Sequence, residues 1–223
     1  MRRCLSTLGA AALLVVALAG AAGYGRGDEP AWRPLFDGKS LDGWEHVGPG
    51  RMVLEDGLLR TEGGMGLLWY TRETFGDCVL KVVYKTTSKA SNSGVFVRIA
   101  DQPKDEWYAV HHGYEIQICD IADPYHGTGA VYSMSKAIAQ PGCVGAWNTM
   151  EITLDGDRIR VKINDVLVND FDPSGPVPER TKPYEPERGP RPRKGYIGLQ
   201  NHDHYAEGTH VYFKEVSVRP LPR

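Results

Sequence analysis

The chain lacks the features of the common nucleic-acid-binding, nucleotide-binding and membrane-spanning classes. Its 28 acidic and 26 basic residues give a formal net charge of −2, without the basic excess of a nucleic-acid-binding protein. It contains no Gly-rich phosphate loop, dinucleotide-binding fingerprint or G-x-S-x-G nucleophile motif. After the first 23 residues, no apolar run approaches the length of a transmembrane helix. We therefore expect a globular mature chain with no nucleic-acid partner and no transmembrane segment.

Cysteine is also scarce. Of the four cysteines, Cys4 lies within the first 23 residues, which have the pattern of a cleaved leader described below. The spacing of the other three, Cys78, Cys119 and Cys143, fits no zinc module. An odd number of cysteines in an exported protein allows one disulfide and one free thiol, and the sequence leaves the pairing open. The histidines within 111–112 and 202–204 lack a recognised metal-ligand spacing. We predict neither a metal site nor a cofactor.

The N-terminus has the pattern of a secretory signal peptide over residues 1–23. Arg2 and Arg3 precede a stretch of apolar and small residues that ends in Gly and Ala. A membrane anchor is the alternative, but the apolar core is short and rich in Gly and Ala for a span of roughly 30 Å. We expect residues 24–34 to form a mobile lead-in and residues 35–219 to form a single domain. The protein is then exported, to the periplasm or to the outside of the cell.

Short alternating runs of apolar and polar residues dominate the rest of the chain. No segment repeats apolar residues with a helical period over three turns, and turn residues separate the runs at short intervals. Hairpin turns are predicted at 55–57, 155–157 and 164–165, and a further short strand is predicted at 130–133. Many short strands with almost no helix indicate an all-β fold, which at this length is two packed antiparallel sheets.

Residues 173–194 differ from this pattern. They include seven prolines and six basic residues, and proline cannot donate a hydrogen bond within a central sheet. The segment is predicted to be a long surface loop between two strands. Long loops in compact domains are often functional, and a solvated loop stiffened by proline is the equally acceptable alternative.

Alternation along three predicted strands, at 94–99, 114–119 and 196–202, sorts their side chains onto two faces. One face is apolar, and the other combines an acid, a cation, two amides and an imidazole: Arg98, Glu115, Gln117, Gln200 and His202. Any antiparallel sheet with one solvated face shows such alternation, so the pattern alone does not decide between a site and a plain surface. Amides together with the nearby Tyr132 and Trp147 would suit sugar hydroxyls and sugar ring faces.

Eight short strings then occur in the order found in one protein family: 35–44, 55–61, 75–80, 92–98, 114–118, 128–132, 147–152 and 195–202. Together they resemble the 3-keto-disaccharide hydrolase family over about residues 33–219. The resemblance implies a concanavalin-like jelly roll of two curved antiparallel sheets with a ligand groove on its concave face. It also implies an exported bacterial protein that acts on glycosides oxidised at C3. Two segments depart from the family pattern, 133–140 and 203–208, and both are expected at the rim of the groove.

The implied reaction begins at C2 of the sugar, because a ketone at C3 makes the C2 proton acidic. Removal of that proton gives an enolate that expels the C1 substituent, and addition of water completes a net hydrolysis. We expect Glu115 and His202 to transfer protons. The expected substrate-binding residues are Arg98, Gln117, Tyr132, Trp147, Gln200 and Asn201.

Two other functions remain open at this point. A non-catalytic, lectin-like carbohydrate-binding module of the bacterial cell envelope would need the same amides and aromatic rings, without a catalytic Glu115. An interaction domain of the cell envelope would instead use the loop at 173–194 as its contact surface.

Overall fold

The computed structural model describes residues 30–120, 123–203 and 208–221. The predicted signal peptide and residues 24–29 of the predicted lead-in lie outside the described residues, as does most of the segment at 203–208. No helix in the described ranges is both long enough and apolar enough to cross a membrane.

The described part of the domain contains thirteen strands and one short helix. In chain order the strands are β1 (Arg33–Phe36), β2 (Trp44–Val47), β3 (Arg51–Glu55), β4 (Leu58–Glu62), β5 (Gly64–Tyr70), β6 (Cys78–Thr86), β7 (Asn92–Ile99), β8 (Tyr114–Cys119), β9 (Asn148–Asp155), β10 (Arg158–Ile163), β11 (Val166–Phe171), β12 (Tyr196–Asp203) and β13 (Val211–Pro220). The helix α1 (Tyr108–His112) lies between β7 and β8.

The strands form two antiparallel sheets, which confirms the predicted all-β jelly-roll class. An eight-stranded sheet has the order β11-β10-β9-β6-β13-β4-β3, with β1 paired to β13. A five-stranded sheet has the order β2-β5-β12-β7-β8. The central strands of the smaller sheet are thus β12 and β7, with β8 at its edge, and these are the three strands whose polar face was singled out from the sequence.

The three predicted hairpins are confirmed. Asp56 and Gly57 turn between β3 and β4 with φ of 50° and 76°, and Asn164 and Asp165 turn between β10 and β11 with φ of 49° and 67°. Gly156 has φ of 57° in the turn between β9 and β10. Left-handed backbone matches the twist of tight hairpins, and Asn, Asp and Gly adopt it at low cost.

One boundary and one strand differ from the prediction. Arg33 and Pro34 belong to β1, where they pair with Val218 and Ser217, so the ordered domain begins before residue 35. The predicted strand at 130–133 is wrong. Val131 forms isolated bridges, and Ser133 adopts φ of 59°, which turns the chain out of the extended conformation.

Side chains between the sheets form the main core, and a second apolar cluster lies on the opposite face of the five-stranded sheet. Neighbouring residues divide between the two, as Leu68 joins the main core and Leu67 the second cluster. The members of the second cluster are Leu67, Trp69, Phe96, Ile99, Ala109 and Val110. The last two belong to α1, which therefore packs against the sheet residues of this cluster. The helix therefore covers one part of the outer face of the smaller sheet and leaves the part beside it open.

Candidate active site

A cavity of about 260 Å³ opens beside α1 on the outer face of the five-stranded sheet. Its lining residues are Met65, Asn92, Trp107, Val110, Glu115, Gln117, Tyr132, Tyr184, Gln200 and His202. Five of these were predicted from the sequence: Glu115, Gln117, Tyr132, Gln200 and His202. The structure thus brings five of the eight predicted site residues together.

The register of the sheet explains why the polar residues of three strands meet. Phe96 and Gly94 of β7 pair with Glu115 and Gln117 of β8, and on the other side Leu199 of β12 pairs with Val95. Directly opposed residues point to the same face of an antiparallel sheet. The side chains of Gln200 and Gln117 therefore flank a position on β7 that has no side chain of its own.

That position is Gly94, and it makes room for Glu115. A Cβ atom on Gly94 would lie 2.4 Å from Oε1 and 2.7 Å from Cγ of Glu115. The carboxyl group of Glu115 therefore lies directly over the backbone of β7. Any larger residue would push this group out of its position, so glycine is required by close approach.

Burial sets the protonation of Glu115. The side chain is 6% exposed, and burial raises its pKa to about 8, although a hydrogen bond with Gln200 acts in the opposite direction. The neutral acid therefore predominates at pH 7, and the carboxylate that forms above it is a stronger base than an ordinary Glu. Such a group is matched to proton transfer near neutral pH.

Three buried acceptor atoms in the cavity lack hydrogen-bond partners within the described part of the chain. They are Oε1 of Glu115, Oε1 of Gln117 and Oε1 of Gln200. A buried polar atom without a partner costs roughly 1–3 kcal/mol. Three such atoms lining one cavity constitute a binding surface for a ligand that carries several hydrogen-bond donors.

Asn92 connects two of the predicted residues. Its Oδ1 accepts a hydrogen bond from Nε2 of Gln117 at 2.9 Å, and its Nδ2 lies 2.9 Å from Nδ1 of His202. With the Asn92 amide assigned in this orientation, Nδ2 donates to Nδ1, and the neutral imidazole carries its proton on Nε2. Asn92 was not predicted from the sequence because it is the first residue of β7, although its side chain lies on the same face of the strand as position 94.

Tyr132 reaches the cavity from the turn after β8. Its backbone N–H donates to the carbonyl of Glu115 at 2.9 Å, which fixes it beside the candidate proton-transfer group. Burial raises the pKa of the Tyr132 hydroxyl, and the negative charge of Glu115 raises it further. The hydroxyl therefore stays protonated at neutral pH and can donate a hydrogen bond.

Arg98 does not lie in the cavity, and its predicted place on the shared polar face is wrong. Tyr196 pairs with Ile99 and Gly198 with Phe96, so β7 has one extra residue there, and Arg98 adopts φ of 54°. This bulge reverses the alternation. The buried guanidinium instead donates from Nη1 to the carbonyl of Asp157 at 2.9 Å and from Nη2 to that of Gly156, and so joins the two sheets.

Trp147 and Asn201 are also placed away from the cavity, contrary to the prediction. Trp147 lies on the outer side of the eight-stranded sheet, where the ammonium groups of Lys85 and Lys214 are 4.9 and 5.7 Å from its ring. Asn201 points to the other side of β12, where its Oδ1 accepts from the backbone N–H of Glu62 at 2.8 Å and its Nδ2 donates to the Glu62 carbonyl at 2.9 Å. It fastens the turn between β4 and β5.

Trp107 and Tyr184 line the cavity and were not predicted. Trp107 precedes α1, and Tyr184 belongs to the proline-rich loop at 173–194. Neither residue lies in a strand, so the alternation of side chains along strands could not predict the position of either one. The loop does not extend freely into solvent: Arg188 donates to the carbonyl of Ser133 at 3.3 Å and to its Oγ at 3.1 Å. Over the ranges described above, no three His, Cys, Asp or Glu side chains gather closely enough to hold a metal ion.

Comparisons with known proteins agree with this architecture. A candidate glycosyl hydrolase from Parabacteroides distasonis is 27% identical, with a TM-score of 0.68, and the match covers 86% of this chain and all of that one (100%). A Bacillus subtilis protein of unknown function with a galectin-like fold is 14% identical (TM-score 0.59), and the match covers 86% of this chain and 96% of that one. The carbohydrate-binding module CBM66 from B. subtilis is 15% identical (TM-score 0.51), and the match covers 79% of this chain and 95% of that one. The last two likenesses concern the fold alone.

No curated protein matches the chain in sequence. A family model does match, however: the 3-keto-α-glucoside-1,2-lyase-like domain, over residues 31–219. The match covers nearly all of the described residues and agrees with the family predicted from the eight strings. The chain therefore belongs to the 3-keto-α-glucoside-1,2-lyase-like family.

Proposed function

We propose that the protein is an exported enzyme that cleaves glycosides oxidised at C3 of the sugar. One observation carries the proposal: three buried acceptor atoms that have no partner among the described residues surround a cavity, and one of them belongs to Glu115, whose pKa is raised to about 8. Family membership and the likeness to a candidate glycosyl hydrolase support the same substrate class.

The acceptors suit the hydroxyl groups of a sugar. Each hydroxyl is a hydrogen-bond donor, and adjacent hydroxyls on a pyranose ring project from one edge. Binding would satisfy the side-chain oxygens of Gln117 and Gln200, which are buried and have no partner among the residues that the structure describes. Part of the binding free energy therefore comes from relief of an existing cost.

Glu115 is proposed to move the proton. As a carboxylate it removes the proton from C2, the C2 electron pair forms the enolate of the C3 ketone, and the C1–O bond then breaks. The carboxylic acid so formed returns the proton to the departing oxygen, which leaves an enone and a neutral alcohol. Water then adds its hydroxyl to C1, and Glu115 carries the proton of water to C2, so that one water is consumed per glycoside.

His202 and Tyr132 are proposed to stabilise the enolate. The neutral imidazole has its proton on Nε2, and the Tyr132 hydroxyl is held protonated, so both groups can donate a hydrogen bond, and we assign them to the negatively charged C3 oxygen. A neutral imidazole with its only proton on Nε2 is a poor acid. This assigns proton transfer to Glu115 and oxyanion binding to His202.

The described lining of the cavity differs from that of an ordinary glycosidase. Such enzymes place two carboxyl groups on either side of the glycosidic bond. Among the described residues that line this cavity, Glu115 is the one carboxyl group. Cleavage that starts with the acidic C2 proton needs one carboxyl group, and this favours an oxidised glycoside over an unmodified one.

The test is release of the alcohol from methyl 3-keto-α-glucoside and from methyl α-glucoside. We expect turnover of the oxidised substrate alone, with a loss of about 10²–10⁴-fold in kcat/KM for Glu115→Gln and a smaller loss for His202→Ala. Glu151→Gln is the matched control, because Glu151 lies on β9 of the other sheet. Binding of the unoxidised sugar without turnover of either compound would instead identify a carbohydrate-binding module.

A further inference from the structure

We propose that the cavity contains a second, apolar subsite that binds an aromatic leaving group, so that aryl glycosides are the preferred substrates. This inference rests on the proposed function and concerns the same cavity. It starts from an asymmetry in the lining: polar groups occupy the strands β7, β8 and β12, whereas apolar side chains come from β5, from α1 and its start, and from the proline-rich loop. The apolar residues are Met65, Trp107, Val110 and Tyr184.

The base of this apolar subsite continues the second core cluster of the protein. Val110 belongs to that cluster, and Met65 packs against it. Met65 also pairs with His202 across β5 and β12, so the apolar part of the cavity begins directly beside the polar part. A ligand that fills both parts needs a hydroxyl-rich portion next to an apolar one.

Trp107 and Tyr184 complete the subsite with two aromatic rings that are 39% and 51% exposed. Large apolar side chains that remain exposed around a cavity commonly mark a ligand surface. Both rings present flat faces and polar tips, so they bind a planar apolar group by stacking without leaving a buried donor unpaired.

The two rings stand on segments that are already ordered. Asp105 accepts hydrogen bonds from the backbone N–H groups of Trp107 at 2.9 Å and Tyr108 at 2.8 Å, which fixes the entry to α1. Beside Tyr184, the buried Glu185 accepts from the backbone N–H and the Oγ1 of Thr181 at 3.0 and 2.9 Å. Little ordering of the loop is then needed when a ligand binds, which favours affinity.

The chemistry of the wall favours an aromatic group over a second sugar ring. A second sugar would bring several more hydroxyls against Met65 and Val110, whose side chains have no oxygen or nitrogen to pair with them. Each buried unpaired hydroxyl costs roughly 1–3 kcal/mol. The volume of about 260 Å³ is also at the small end for ligand cavities, which suits one sugar ring and one small ring.

The experiment compares phenyl 3-keto-α-glucoside, methyl 3-keto-α-glucoside and a 3-keto-disaccharide as substrates of the wild type, Trp107→Ala and Tyr184→Ala. Each variant is expected to lose about tenfold in kcat/KM on the phenyl substrate and less than about twofold on the methyl substrate. Taking the ratio between variants and wild type removes the difference in leaving-group reactivity. Trp147→Ala is the matched control, because Trp147 is similarly exposed, at 38%, but lies on the other sheet.

Equal losses on the phenyl and methyl substrates would overturn the subsite, and a loss on the disaccharide as large as that on the phenyl substrate would assign it to a second sugar ring. Calorimetric binding to Glu115→Gln separates this result from failure of the proposed reaction. Tighter binding of the phenyl than of the methyl compound, lost in Trp107→Ala and Tyr184→Ala, supports the subsite even without turnover. Equal affinities would reject it.

Discussion

The outer faces of the two sheets contain similar residues but differ in how their polar groups are satisfied. On the eight-stranded sheet, charged groups are paired and at least partly exposed, as in Lys81–Glu215 at 2.7 Å and Arg158–Asp170 at 2.5 Å. There, two lysine ammonium groups lie near the ring of the exposed Trp147. On the five-stranded sheet, polar groups are buried and several of their oxygens have no partner in the part of the chain that the structure describes. Residue type therefore does not distinguish a binding face from a plain surface. Buried polar atoms that lack hydrogen-bond partners do.

A substitution at Gly94 is expected to have the largest effect on the proposed binding face. In Gly94→Ala the new methyl group would displace the carboxyl group of Glu115 without removing any polar atom of the cavity. We expect a loss of about 10²-fold in kcat/KM on methyl 3-keto-α-glucoside, since a shift of about 1 Å can cost that much. The measurement is steady-state kinetics.

Gly142→Ala is the control for this substitution, because a Cβ there meets its nearest neighbour at 3.6 Å. It should leave kcat/KM unchanged. Full activity in Gly94→Ala would show that the position of Glu115 over β7 is irrelevant to the reaction.

A second prediction concerns pH. Because the Glu115 carboxylate is the proposed base and its pKa is about 8, kcat/KM should rise about tenfold between pH 6 and pH 7 and level off above about pH 9. Stability should change in the opposite direction. Folding raises the pKa of Glu115 from its ordinary value of 4.5 to about 8, so the folded state binds the proton more tightly than the unfolded state does. The free energy of unfolding therefore falls as pH rises from about 4.5 to about 8.

Chemical denaturation across this pH range measures the second effect. Glu115→Gln cannot titrate at this position, so its stability should decline less over the same interval. Parallel stability curves for the wild type and this variant would contradict the raised pKa.

The smallest effect on activity is expected at Arg98, which the sequence had placed in the site. Arg98→Ala removes two hydrogen bonds that join the sheets and leaves a cavity, and it should lower the free energy of unfolding by about 2–4 kcal/mol. At a temperature where the variant is folded, kcat/KM should change by less than about twofold. Thermal unfolding together with kinetics checks both statements, and a large loss of activity in the folded variant would return Arg98 to the site.

The regular strands explain what could be predicted from the sequence. Alternation placed Glu115, Gln117, Gln200 and His202 on one face because β8 and the end of β12 keep their period of two. It failed at Arg98, since one extra residue in β7 reverses every side chain that follows it. A bulge of this kind has no clear local sequence signal.

Residues outside the strands were harder to predict for a different reason. Trp107 and Tyr184 reach the cavity through the course of a helix entry and a long loop, which depends on contacts far apart in sequence such as Arg188 with Ser133. Trp147 was predicted as an aromatic residue near the polar strand residues in sequence order, yet the chain at that point has already passed to the other sheet. Nearness in sequence is a poor guide where two sheets alternate along the chain.

The most direct test of the central claim is the hydrogen at C2 of the product. Wild-type protein is incubated with methyl 3-keto-α-glucoside in D₂O, and the released 3-keto-glucose is examined by proton NMR at early times, against a control without protein. Abstraction of the C2 proton by Glu115, followed by addition of water, predicts deuterium at C2 in each molecule of product formed by the enzyme. A product that retains its original C2 hydrogen would show that the C1–O bond breaks by direct displacement and would contradict the proposed role of Glu115.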